Sequence, residues 1–486
     1  MKLGDILSGV SVRRSTADSD SDVKDVVNNS DIAYENTVFC AYKGEHDDGE
    51  AHIKEAVDRG CRIILCEHEH GGGGFITVDN AKEAYARMCA HINGDPQDKL
   101  RLAAVTGTNG KTTVTSMLYH ILTAIHGKNS ASLIGGVKNI ICGKEIKANQ
   151  TTPDPSELYR LMAGSVNGGA GYCVLEASSH SLDYDKLSPC RFEVGAMTNL
   201  TEDHLDHHVS MDAYFRSKRK LIPLCDKFVS NGDDFYTSQL DCPHFSLYDG
   251  EFTAKIKMLD KTGAVFEYSG ISDAECRIDL CGKFNIYNAA AALCMAEIMG
   301  EDTKTAAAAL SDFHGVRGRF ELHKCRTGAD IIIDYAHTPD ALENALTAAR
   351  GLTKNRLICV FGCGGDRDKS KRRIMGAVSS RLADLTVVTS DNSRSEEPED
   401  IIKEIISGVD KHNRYKIVKD RKEAILYALS YSRDGDTVLL AGKGHEDYEI
   451  TKTGKHPFSE VYIINEFNSG GKTNGNNDGK RSGCPL

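Results

Sequence analysis

Apolar, β-branched runs that end in a polar or glycine-rich turn recur along this chain and alternate with helical patterns. The runs read CRIILC, RLAAVTG, YCVLEAS, EVGAMTNL, ADIIIDYAH, RLICVFGCGG, ADLTVVTSD and DTVLLAGKG. Strands that alternate with helices predict an α/β fold with parallel sheets flanked by helices. Ligands of such sheets bind at the carboxyl ends of the strands, so we expect functional residues in the turns that follow the runs.

Length and charge narrow the class of protein. The 486 residues, of which 40% are hydrophobic, predict two to four domains. A net charge of -11 argues against nucleic acid as a partner, because an acidic chain gains no affinity from counterion release. The sequence shows no signal-peptide core and no apolar run of membrane-spanning length, which predicts a cytoplasmic protein without membrane insertion. The sixteen cysteines include no C-x-x-C pair and are expected to be buried thiols rather than zinc ligands.

Changes of composition divide the chain into four segments. Residues 1–95 predict a small α/β domain that ends in the loop-like HINGDPQDKL, and residues 96–320 predict a central domain. Residues 321–466 predict a third alternating domain, and residues 467–486 have the composition of a disordered tail.

The stretch AVTGTNGKTT predicts a phosphate-binding loop between a buried strand and a helix. The general motif has a glycine five positions before Gly110, where this chain has Val105. Backbone N–H groups of the turn would bind phosphate, Lys111 would neutralise charge and the Thr112 hydroxyl could bind Mg²⁺. A chance turn before a helix is the alternative, and the correct order of strand, turn and helix argues against it.

Two further turns offer metal ligands. Glu176 ends the strand of YCVLEAS and is either a structural acid or a ligand of Mg²⁺, which prefers oxygen atoms. The segment TNLTEDHLDHH suits a zinc hydrolase, a histidine-rich surface loop or, beside a nucleotide loop, a Mg²⁺ site. Its candidate ligands are Asp203, His204, Asp206, His207 and His208.

Amides and charged groups follow in the later motifs. Asn285 and Asn288 lie one helical turn apart and would bind a base or ribose, or cap the helix. The turns of the last domain are predicted to cluster at one sheet edge, where an arginine could hold a substrate carboxylate; a solvated charged rim is the alternative. Their residues are Asp334, Arg372, Arg394, Lys443, His445 and Glu446.

The ordered set of these motifs resembles the Mur ligase family of peptidoglycan synthesis, over roughly residues 30–465. The motifs are TGTNGKTT, EASSHSL, TNLTEDHLD, GKFNIYNAA, GRFE, DYAHTPDALENAL, FGCGGDRDK and GKGHE. Within the family, the resemblance is to members that add 2,6-diaminopimelate. It implies an N-terminal UDP-sugar-binding domain, a central P-loop ATPase-like domain that binds ATP, and a C-terminal Rossmann-like domain that binds the amino acid.

The resemblance implies an ATP-dependent ligase that adds meso-2,6-diaminopimelate to UDP-N-acetylmuramoyl-L-alanyl-D-glutamate through an acyl phosphate. Thr112 and Glu176 would hold one Mg²⁺, and His204 with Lys218 would reach a second. Lys218, in MDAYFRSKRKLI, would carry a carbamate formed from CO₂, with Lys220 as the rival in register. The catalytic residues would be Lys111, Glu176, His204 and Lys218, and the protein is expected to be a monomer.

The resemblance also assigns ligand contacts, residue by residue. ATP would contact Gly107, Thr108, Asn109, Gly110, Lys111, Thr112, Thr113, Asn285, Arg319 and Asp334. The UDP-linked substrate would contact Ser30, Thr151, Thr152, Ser178 and Lys186. The amino acid would contact Arg372, Asp391, Asn392, Ser393, Arg394, Gly442 and Glu446, with Arg394 on the distal carboxylate.

Five places depart from the family pattern. Asp-Ser-Arg is replaced by Asn29-Ser30-Asp31, a histidine by Glu50, and two prolines by Arg373 and Ser393. FSE at 458–460 stands where Phe-Asp-Asp is usual. The alternatives are a ligase for L-lysine or another diamino acid, a folylpolyglutamate synthase, a catalytically inactive nucleotide-binding regulator, and a metal-dependent hydrolase that uses His207 and His208 without ATP.

Overall fold

The computed structural model describes residues 1–44 and 47–470, apart from the side chain of Asp206. The chain divides into two compact units, Met1–His314 and Gly315–Leu486. Three large sheets flanked by helices confirm the predicted α/β class. The predicted domain boundaries after residues 95, 320 and 466 stay predictions. Of the predicted tail, residues 467–470 follow on from the last helix or belong to it, and residues 471–486 lie outside the described part.

The first sheet belongs to the first unit and has the order β1-β5-β4-β3-β2. Its strands are β1 Val12–Ser15, β2 Asp25–Val27, β3 Thr37–Cys40, β4 Ile63–Cys66 and β5 Phe75–Val78. Its helices are α1 Leu3–Ile6, α2 Ile53–Asp58 and α3 Ala81–Ile92. Strand β1 pairs antiparallel with β5, while the other pairs are parallel. The four glycines at 71–74 lie in the loop between β4 and β5.

The second sheet of this unit has eleven strands in the order β16-β15-β14-β13-β12-β11-β6-β10-β7-β8-β9. They are β6 Arg101–Thr106, β7 Ala131–Ile134, β8 Lys138–Ile141, β9 Lys144–Lys147, β10 Tyr172–Glu176, β11 Phe192–Met197, β12 Cys225–Asn231, β13 His244–Ser246, β14 Phe252–Asp260, β15 Gly263–Ser269 and β16 Ala274–Ile278. The central strands β11, β6 and β10 are parallel neighbours, so their carboxyl ends meet at one edge. The antiparallel extension β14 to β16 was not predicted, because its strands alternate buried and exposed residues instead of forming apolar runs.

Helices flank this sheet and several begin at a side-chain cap. They are α4 Lys111–His126, α5 Pro155–Asn167, α6 Ser179–Asp183, α7 Leu205–His208, α8 Met211–Arg219, α9 Lys283–Ile298 and α10 Thr303–Leu310. Asp154 caps α5 through Ser156 N and Ser210 caps α8 through Ala213 N. Helix α4 instead begins after Gly110, which has no side chain to cap it. Helix α9 likewise begins after a glycine, Gly282, and an N-terminus without a side-chain cap can bind an external acceptor.

The second unit contains a six-stranded sheet of order β17-β18-β22-β19-β20-β21 and a hairpin. The sheet strands are β17 Glu321–Lys324, β18 Asp330–Asp334, β19 Leu357–Phe361, β20 Leu385–Val388, β21 Tyr415–Ile417 and β22 Thr437–Ala441; the hairpin is β23 Tyr448–Thr451 with β24 Gly454–Pro457. The helices are α11 Pro339–Leu352, α12 Ser370–Leu382, α13 Pro398–Ile406, α14 Arg421–Tyr431 and α15 Glu460–Asn468. Strands β18, β22, β19 and β20 are parallel and largely buried, which explains their uninterrupted apolar sequences.

The sequence-based assignment of strands is confirmed at all eight quoted runs, which form β4, β6, β10, β11, β18, β19, β20 and β22. The described cysteines are free thiols and most are buried, as expected. Among the described residues, no helix is both long and apolar enough to cross a membrane.

Candidate active site

The phosphate loop, residues 107–110, connects β6 to α4 and fits closely against its neighbours. Gly107 and Gly110 have φ angles of 141° and 89°, a region that favours glycine. A Cβ atom would lie 1.9 Å from Thr198 Oγ1 if added to Gly107, and 2.6 Å from Asn288 Oδ1 if added to Gly110. Both glycines are therefore required by backbone conformation and by space.

The segment TNL, residues 198–200, supports this shortened loop from the neighbouring strand β11. The Asn109 N–H donates to Asn199 Oδ1 at 2.8 Å, and the Thr108 N–H donates to the Asn199 carbonyl at 3.0 Å. The Thr198 hydroxyl donates to the Asn109 carbonyl at 2.6 Å. Sequence analysis missed Thr198 and Asn199 as site residues. The available signal was their position after a strand that pairs with β6.

Lys111 and the start of α4 form an anion-binding arrangement. The Lys111 Nζ atom donates to the carbonyls of Gly107 and Thr108, both at 2.9 Å. The ammonium therefore lies over the loop, at the N-terminus of a sixteen-residue helix. A helix N-terminus and a lysine together favour a phosphate group.

Thr112 and Glu176 meet at the same edge of the sheet. The Thr112 hydroxyl donates to Glu176 Oε2 at 3.0 Å, while Glu176 Oε1 accepts from the Gly136 N–H at 2.9 Å. Glu176 is 2% exposed, so its carboxylate is fixed at the loop. A hydroxyl and a carboxylate are the oxygen donors that Mg²⁺ prefers, so this pair fits that ion.

Three residues predicted for the UDP-linked substrate lie around Glu176. The Thr152 hydroxyl donates to the Glu176 carbonyl at 2.7 Å, and the Ser178 N–H donates to Thr152 Oγ1 at 3.1 Å. Thr151 lies beside Gly136, where a Cβ atom would be 3.1 Å from its hydroxyl. The structure thus brings Thr151, Thr152 and Ser178 together with Glu176.

Lys186 and Ser30 belong to other sets of contacts in the first unit. The Lys186 Nζ atom donates to Gln150 Oε1 at 3.1 Å, and burial lowers the pKa of Lys186. The Ser30 hydroxyl donates to Glu55 Oε2 at 2.9 Å. Both side chains are held by neighbours within the first unit.

Lys218 reaches the phosphate loop from α8. Its side chain is 1% exposed, and its Nζ atom donates to the Gly107 carbonyl at 2.8 Å and lies 4.4 Å from the centre of the Tyr214 ring. Burial, followed by the charge of Lys111, holds the pKa of Lys218 well below its ordinary value. Lys220, the rival in register, is half-exposed and contacts Asp183 at 2.7 Å. The geometry therefore favours Lys218 as the lysine at the loop.

His204 directly precedes α7 and has a φ of 54°. Like Lys218, it contacts the ring of Tyr214. Its Nε2 atom lies 3.3 Å from Asp203 Oδ2, and its ring contacts the Tyr214 ring edge-on at 6.1 Å. An ammonium at Lys218 does not fit Mg²⁺, because the ion prefers oxygen ligands. A carbamate on Lys218 would supply them.

Asn285 and Asn288 lie on the buried face of α9 at the phosphate loop. The Asn288 Nδ2 atom donates to Asn285 Oδ1 at 3.2 Å, and Asn285 donates to the Cys281 carbonyl at 2.8 Å. The close approach of Asn288 Oδ1 to Gly110 places this amide pair against the loop. The bond from Asn285 to Cys281 lies at the start of α9, so the position of Asn285 is compatible with both a helix cap and a nucleotide contact.

Asp334 in the second unit organises the turn after β18. Its carboxylate accepts from the Phe320 N–H at 2.7 Å and from the Ala336 N–H at 2.8 Å. Burial raises the pKa of Asp334. The Arg319 guanidinium lies 4.5 Å from the centre of the Tyr335 ring, which also contacts the rings of His337 at 4.7 Å and His445 at 5.1 Å.

A buried ionic cluster forms where β20 and β22 end; we call it the pocket cluster, and it consists of Asp391, Asn392, Lys443, Glu446, Arg421 and Glu460. The Lys443 Nζ atom contacts Asn392 Oδ1 at 3.1 Å and Asp391 Oδ1 at 3.6 Å. The Asn392 Nδ2 atom donates to Glu446 Oε2 at 2.8 Å. Burial raises the pKa of Glu446, whereas Lys443 and Arg421 outweigh burial at Asp391 and lower its pKa.

Two predicted acceptor-binding arginines have different surroundings. Arg372 is 0% exposed, and its guanidinium donates to Glu396, Glu404 and the Gly364 carbonyl. Arg394 has a φ of 51°, and its Nη1 atom donates to the Gly365 carbonyl at 2.7 Å. Arg372 is therefore placed to hold the loops together, whereas Arg394 contacts backbone carbonyls.

Comparison with known proteins decides the family. Residues 105–296 match the model of the Mur ligase middle domain, and residues 318–444 match that of the Mur ligase glutamate ligase domain. A Clostridium acetobutylicum protein named UDP-N-acetylmuramoyl-L-alanyl-D-glutamate--2,6-diaminopimelate ligase 1 is 38% identical over 483 residues, which cover 96% of this chain and 99% of that protein. The chain belongs to the Mur ligase family.

Two solved structures support the fold of this Mur ligase. A structure of a UDP-N-acetylmuramoyl-L-alanyl-D-glutamate--2,6-diaminopimelate ligase aligns with a TM-score of 0.67 and 27% identity, over 97% of this chain and 100% of that one. The MurF ligase from Thermotoga maritima in complex with ADP aligns with a TM-score of 0.61 and 20% identity, over 92% of this chain and 97% of that one.

The departures of this Mur ligase from the family pattern have local compensations. Glu50, in place of histidine, accepts from the N–H groups of Glu67 and His68 at 3.0 and 3.1 Å. Ser393, in place of proline, is 3% exposed, and its carbonyl accepts from the Glu396 N–H at 3.0 Å. The loop that contains Ser393 is thus fixed by packing and hydrogen bonds rather than by a proline ring.

The FSE segment, residues 458–460, contributes a buried ion pair to the fold of the Mur ligase. Glu460 is 2% exposed and accepts from Arg421 Nε and Nη2 at 3.0 and 2.8 Å. Arg421 donates in addition to the Ala441 carbonyl at 2.8 Å and lies 3.8 Å from Asp391 Oδ2. Sequence analysis missed both residues, because their contact joins α14 to α15.

Proposed function

We propose that this Mur ligase uses ATP to join meso-2,6-diaminopimelate to UDP-N-acetylmuramoyl-L-alanyl-D-glutamate. The observation that carries the proposal is the meeting of Lys111 with the Thr112–Glu176 pair at one loop, which suits a nucleotide with its metal. The relatives named for this reaction cover nearly the whole chain. We propose the cytoplasm as its location and a monomer as its state.

The proposed reaction has two steps. An oxygen of the D-glutamate side-chain carboxylate attacks the γ-phosphorus of ATP, so that ADP leaves and an acyl phosphate forms. The acceptor amine then attacks the acyl carbon, releasing inorganic phosphate and a proton as the amide bond forms. Positioning and charge neutralisation dominate such phosphoryl transfer, because the protein contributes no covalent chemistry.

The phosphate loop carries the first step. Loop N–H groups and Lys111 would hold the transferred phosphate, and Thr112 with Glu176 would hold Mg²⁺, which supplies positive charge to the phosphate oxygens. Thr113, Asn285, Arg319 and Asp334 complete the proposed ATP set. Thr151, Thr152, Ser178 and Lys186, with Ser30, are proposed to contact the UDP-linked substrate.

We propose that Lys218 carries a carbamate. Its burial and the nearby Lys111 charge both disfavour an ammonium, and the amine is the form that reacts with CO₂. The Lys218 nitrogen would attack the carbon of CO₂ and lose a proton, leaving an anionic oxygen pair. That pair, with His204, would hold a second Mg²⁺.

The pocket cluster is proposed to receive the diamino acid. Its three carboxylates, at Asp391, Glu446 and Glu460, outnumber its two cations by one, which suits the ammonium of an amino acid. Arg394, close to Asn392, would bind the distal carboxylate of diaminopimelate, since its guanidinium donates to carbonyls in this structure. Ser393 and Gly442 would shape the pocket, and Arg372 would position Glu396 beneath it.

Phosphate release with the UDP-linked substrate, Mg²⁺ and ATP tests the proposed reaction. We expect release with meso-diaminopimelate, and much less with L-lysine or without an acceptor. Equal release with lysine would reject the assignment of Arg394, and no release with any acceptor would favour a nucleotide-binding regulator. Hydrolysis of the UDP-linked substrate in the absence of ATP would favour a metal-dependent hydrolase instead.

Carbon-13 NMR tests the carbamate. Protein equilibrated with ¹³C-bicarbonate should show a carbamate resonance that Lys218→Arg removes and Lys220→Arg keeps. A resonance that persists in Lys218→Arg would reject the assignment. The two variants are matched, because both keep a cation and lie two residues apart.

A further inference from the structure

Asp183, His207 and His208 form a cluster that the proposed ligase reaction does not use; we call it the α6–α7 cluster. Asp183 ends α6, and the two histidines end α7. Their nearest ligand atoms all lie within 4.8 Å of one another. Asp183 Oδ2 lies 3.6 Å from His207 Nε2 and 3.5 Å from His208 Nδ1.

These two distances are long for hydrogen bonds and suit a shared metal ion. Hydrogen bonds between nitrogen and oxygen are about 2.7–3.2 Å long. Ligand atoms about 2.0–2.1 Å from a tetrahedral zinc ion lie about 3.3–3.4 Å from each other. Small side-chain movements would therefore bring the three atoms into the first coordination sphere of one ion.

The ring of His208 is already oriented for this task. Its Nε2 atom lies 2.9 Å from Ser179 Oγ, which leaves Nδ1 directed at Asp183. The Tyr214 ring stacks on the His208 ring at 4.8 Å, and the side chain of His208 is 3% exposed. Metal-binding histidines usually have their second nitrogen fixed by a hydrogen bond in this way.

His207 is also supported, and the carboxylate has an oxygen to offer. The His180 ring stacks on the His207 ring at 4.1 Å. Lys220 contacts the other Asp183 oxygen, Oδ1, at 2.7 Å, and its half-exposed side chain can turn towards solvent. Oδ2 thus faces the two histidines, and Lys220 acts as a competing cation.

We propose that Asp183, His207 and His208 bind a divalent transition-metal ion of the zinc class, with water as the fourth ligand. Two imidazoles and one carboxylate are a known zinc ligand set, whereas Mg²⁺ prefers oxygen atoms alone. The ion would link α6 to α7, beside the helix α8 that carries Lys218. The proposal does not rest on the ligase assignment, because it concerns different side chains and a different class of metal.

Cobalt absorption tests the α6–α7 cluster directly. The full chain is treated with EDTA, dialysed and titrated with Co²⁺, whose visible bands are intense in tetrahedral sites and weak in octahedral ones. We expect one equivalent of intense absorption that Zn²⁺ abolishes and excess Mg²⁺ does not. His207→Gln and His208→Gln should each weaken binding at least about 100-fold, since even outer-shell substitutions cost about 10- to 100-fold.

His70→Gln is the matched control, because Glu50, Cys66 and His70 form the other ligand cluster of the described residues. It should leave the cobalt spectrum unchanged. Asp183→Asn should behave like the two histidine variants, and it decides the question if circular dichroism shows that a histidine variant is misfolded. Lys220→Met should tighten binding.

Three outcomes would overturn the proposal. They are the absence of intense cobalt absorption in the parent protein, undiminished binding in His207→Gln and Asp183→Asn, and loss of binding in His70→Gln. Thermal unfolding gives an independent readout, since Zn²⁺ should raise the melting temperature of the parent and leave that of His207→Gln unchanged. An equal shift in both proteins would place the ion elsewhere.

Discussion

A buried lysine, Lys218, contacts the phosphate loop and another, Lys443, lies in the pocket cluster, but the groups that surround the lysines differ in the two regions. Lys111 and Lys218 donate to backbone carbonyls of the loop at 2.8–2.9 Å. Lys443 and Arg421 also donate to backbone carbonyls, but they contact in addition the carboxylates of Asp391, Glu446 and Glu460. The lysines at the loop therefore donate to backbone carbonyls, whereas each cation of the pocket cluster also has a carboxylate neighbour.

The difference shows what each region is prepared to bind. A carbonyl dipole stabilises an ammonium less than a carboxylate does, so the loop gains most from an incoming anion. The three carboxyl groups of the pocket cluster outnumber its two cations by one, which favours an incoming ammonium. The contrast matches a phosphate donor at one region and an amino acid at the other.

The largest expected effect comes from removing a cation at the loop. Lys111→Ala should reduce kcat for phosphate release at least about 1,000-fold, because a preorganised donor to the transferring phosphate is lost. The measurement is steady-state phosphate release with all substrates. Lys220→Ala is the matched control and should retain activity, since its side chain is half-exposed. Retained activity in Lys111→Ala would show that the charge of Lys111 does not contribute to phosphoryl transfer.

Substitutions in the pocket cluster should change the free energy of unfolding more than the rate of any one kinetic step. Arg421→Met should lower the free energy of unfolding by about 3–5 kcal/mol, because Glu460 would stay buried without its partner. Adding Glu460→Leu should restore most of the loss. Chemical denaturation of the full chain measures both, with exposed Arg433→Met as control. An unchanged free energy of unfolding in Arg421→Met would mean that the Arg421–Glu460 pair does not stabilise the pocket cluster.

Arg394 tests whether the pocket accepts a second carboxylate. Arg394→Ala should raise KM for diaminopimelate about 10- to 100-fold, equivalent to about 1.5–3 kcal/mol for a charge-assisted pair. KM for ATP should stay within about twofold of the parent value, because no phosphate contact is assigned to Arg394. The exposed Arg373→Ala should change neither constant. Parallel increases in both KM values would contradict the assignment of the loop.

The smallest effect is a pH dependence near the pocket. Hydrogen bonds from Arg372 lower the pKa of Glu396 to about 2. A depressed carboxyl pKa contributes stability that is complete above the unfolded value, about 4.3, and lost as pH falls towards the folded value. Glu396→Gln should therefore be less stable than the parent by about 1 kcal/mol at pH 7, with a difference that shrinks from about pH 4.3 to about pH 2.

Thermal unfolding of parent and Glu396→Gln at several pH values measures this difference. Glu397→Gln serves as the control, because Glu397 contacts Lys452 with more than half of its side chain exposed. A difference between parent and Glu396→Gln that grows below pH 4 would give the wrong sign and reject the explanation.

Local patterns predicted the parts of the site that are contiguous in the chain. The loop with Lys111 and Thr112 could be predicted because a strand, a glycine turn and a helix follow one another within residues 101–126. Glu176 could be placed nearby because its strand ends at the same edge as β6. The antiparallel strands β14 to β16 escaped prediction because they alternate buried and exposed residues and lack the uninterrupted apolar runs by which the parallel strands were assigned.

The sequence by itself determined the α/β class, the eight core strands, the phosphate loop and the Mur ligase family, because each depends on residues close together or on an ordered set of motifs. The tertiary structure decided that Asn199 supports the loop from 90 residues away, that Lys218 rather than Lys220 reaches Gly107, and that Glu460 neutralises Arg421. These contacts join separate elements, so they depend on packing that no local periodicity encodes. The same is true of Asp183, which meets His207 and His208 because α6 and α7 both pack against α8.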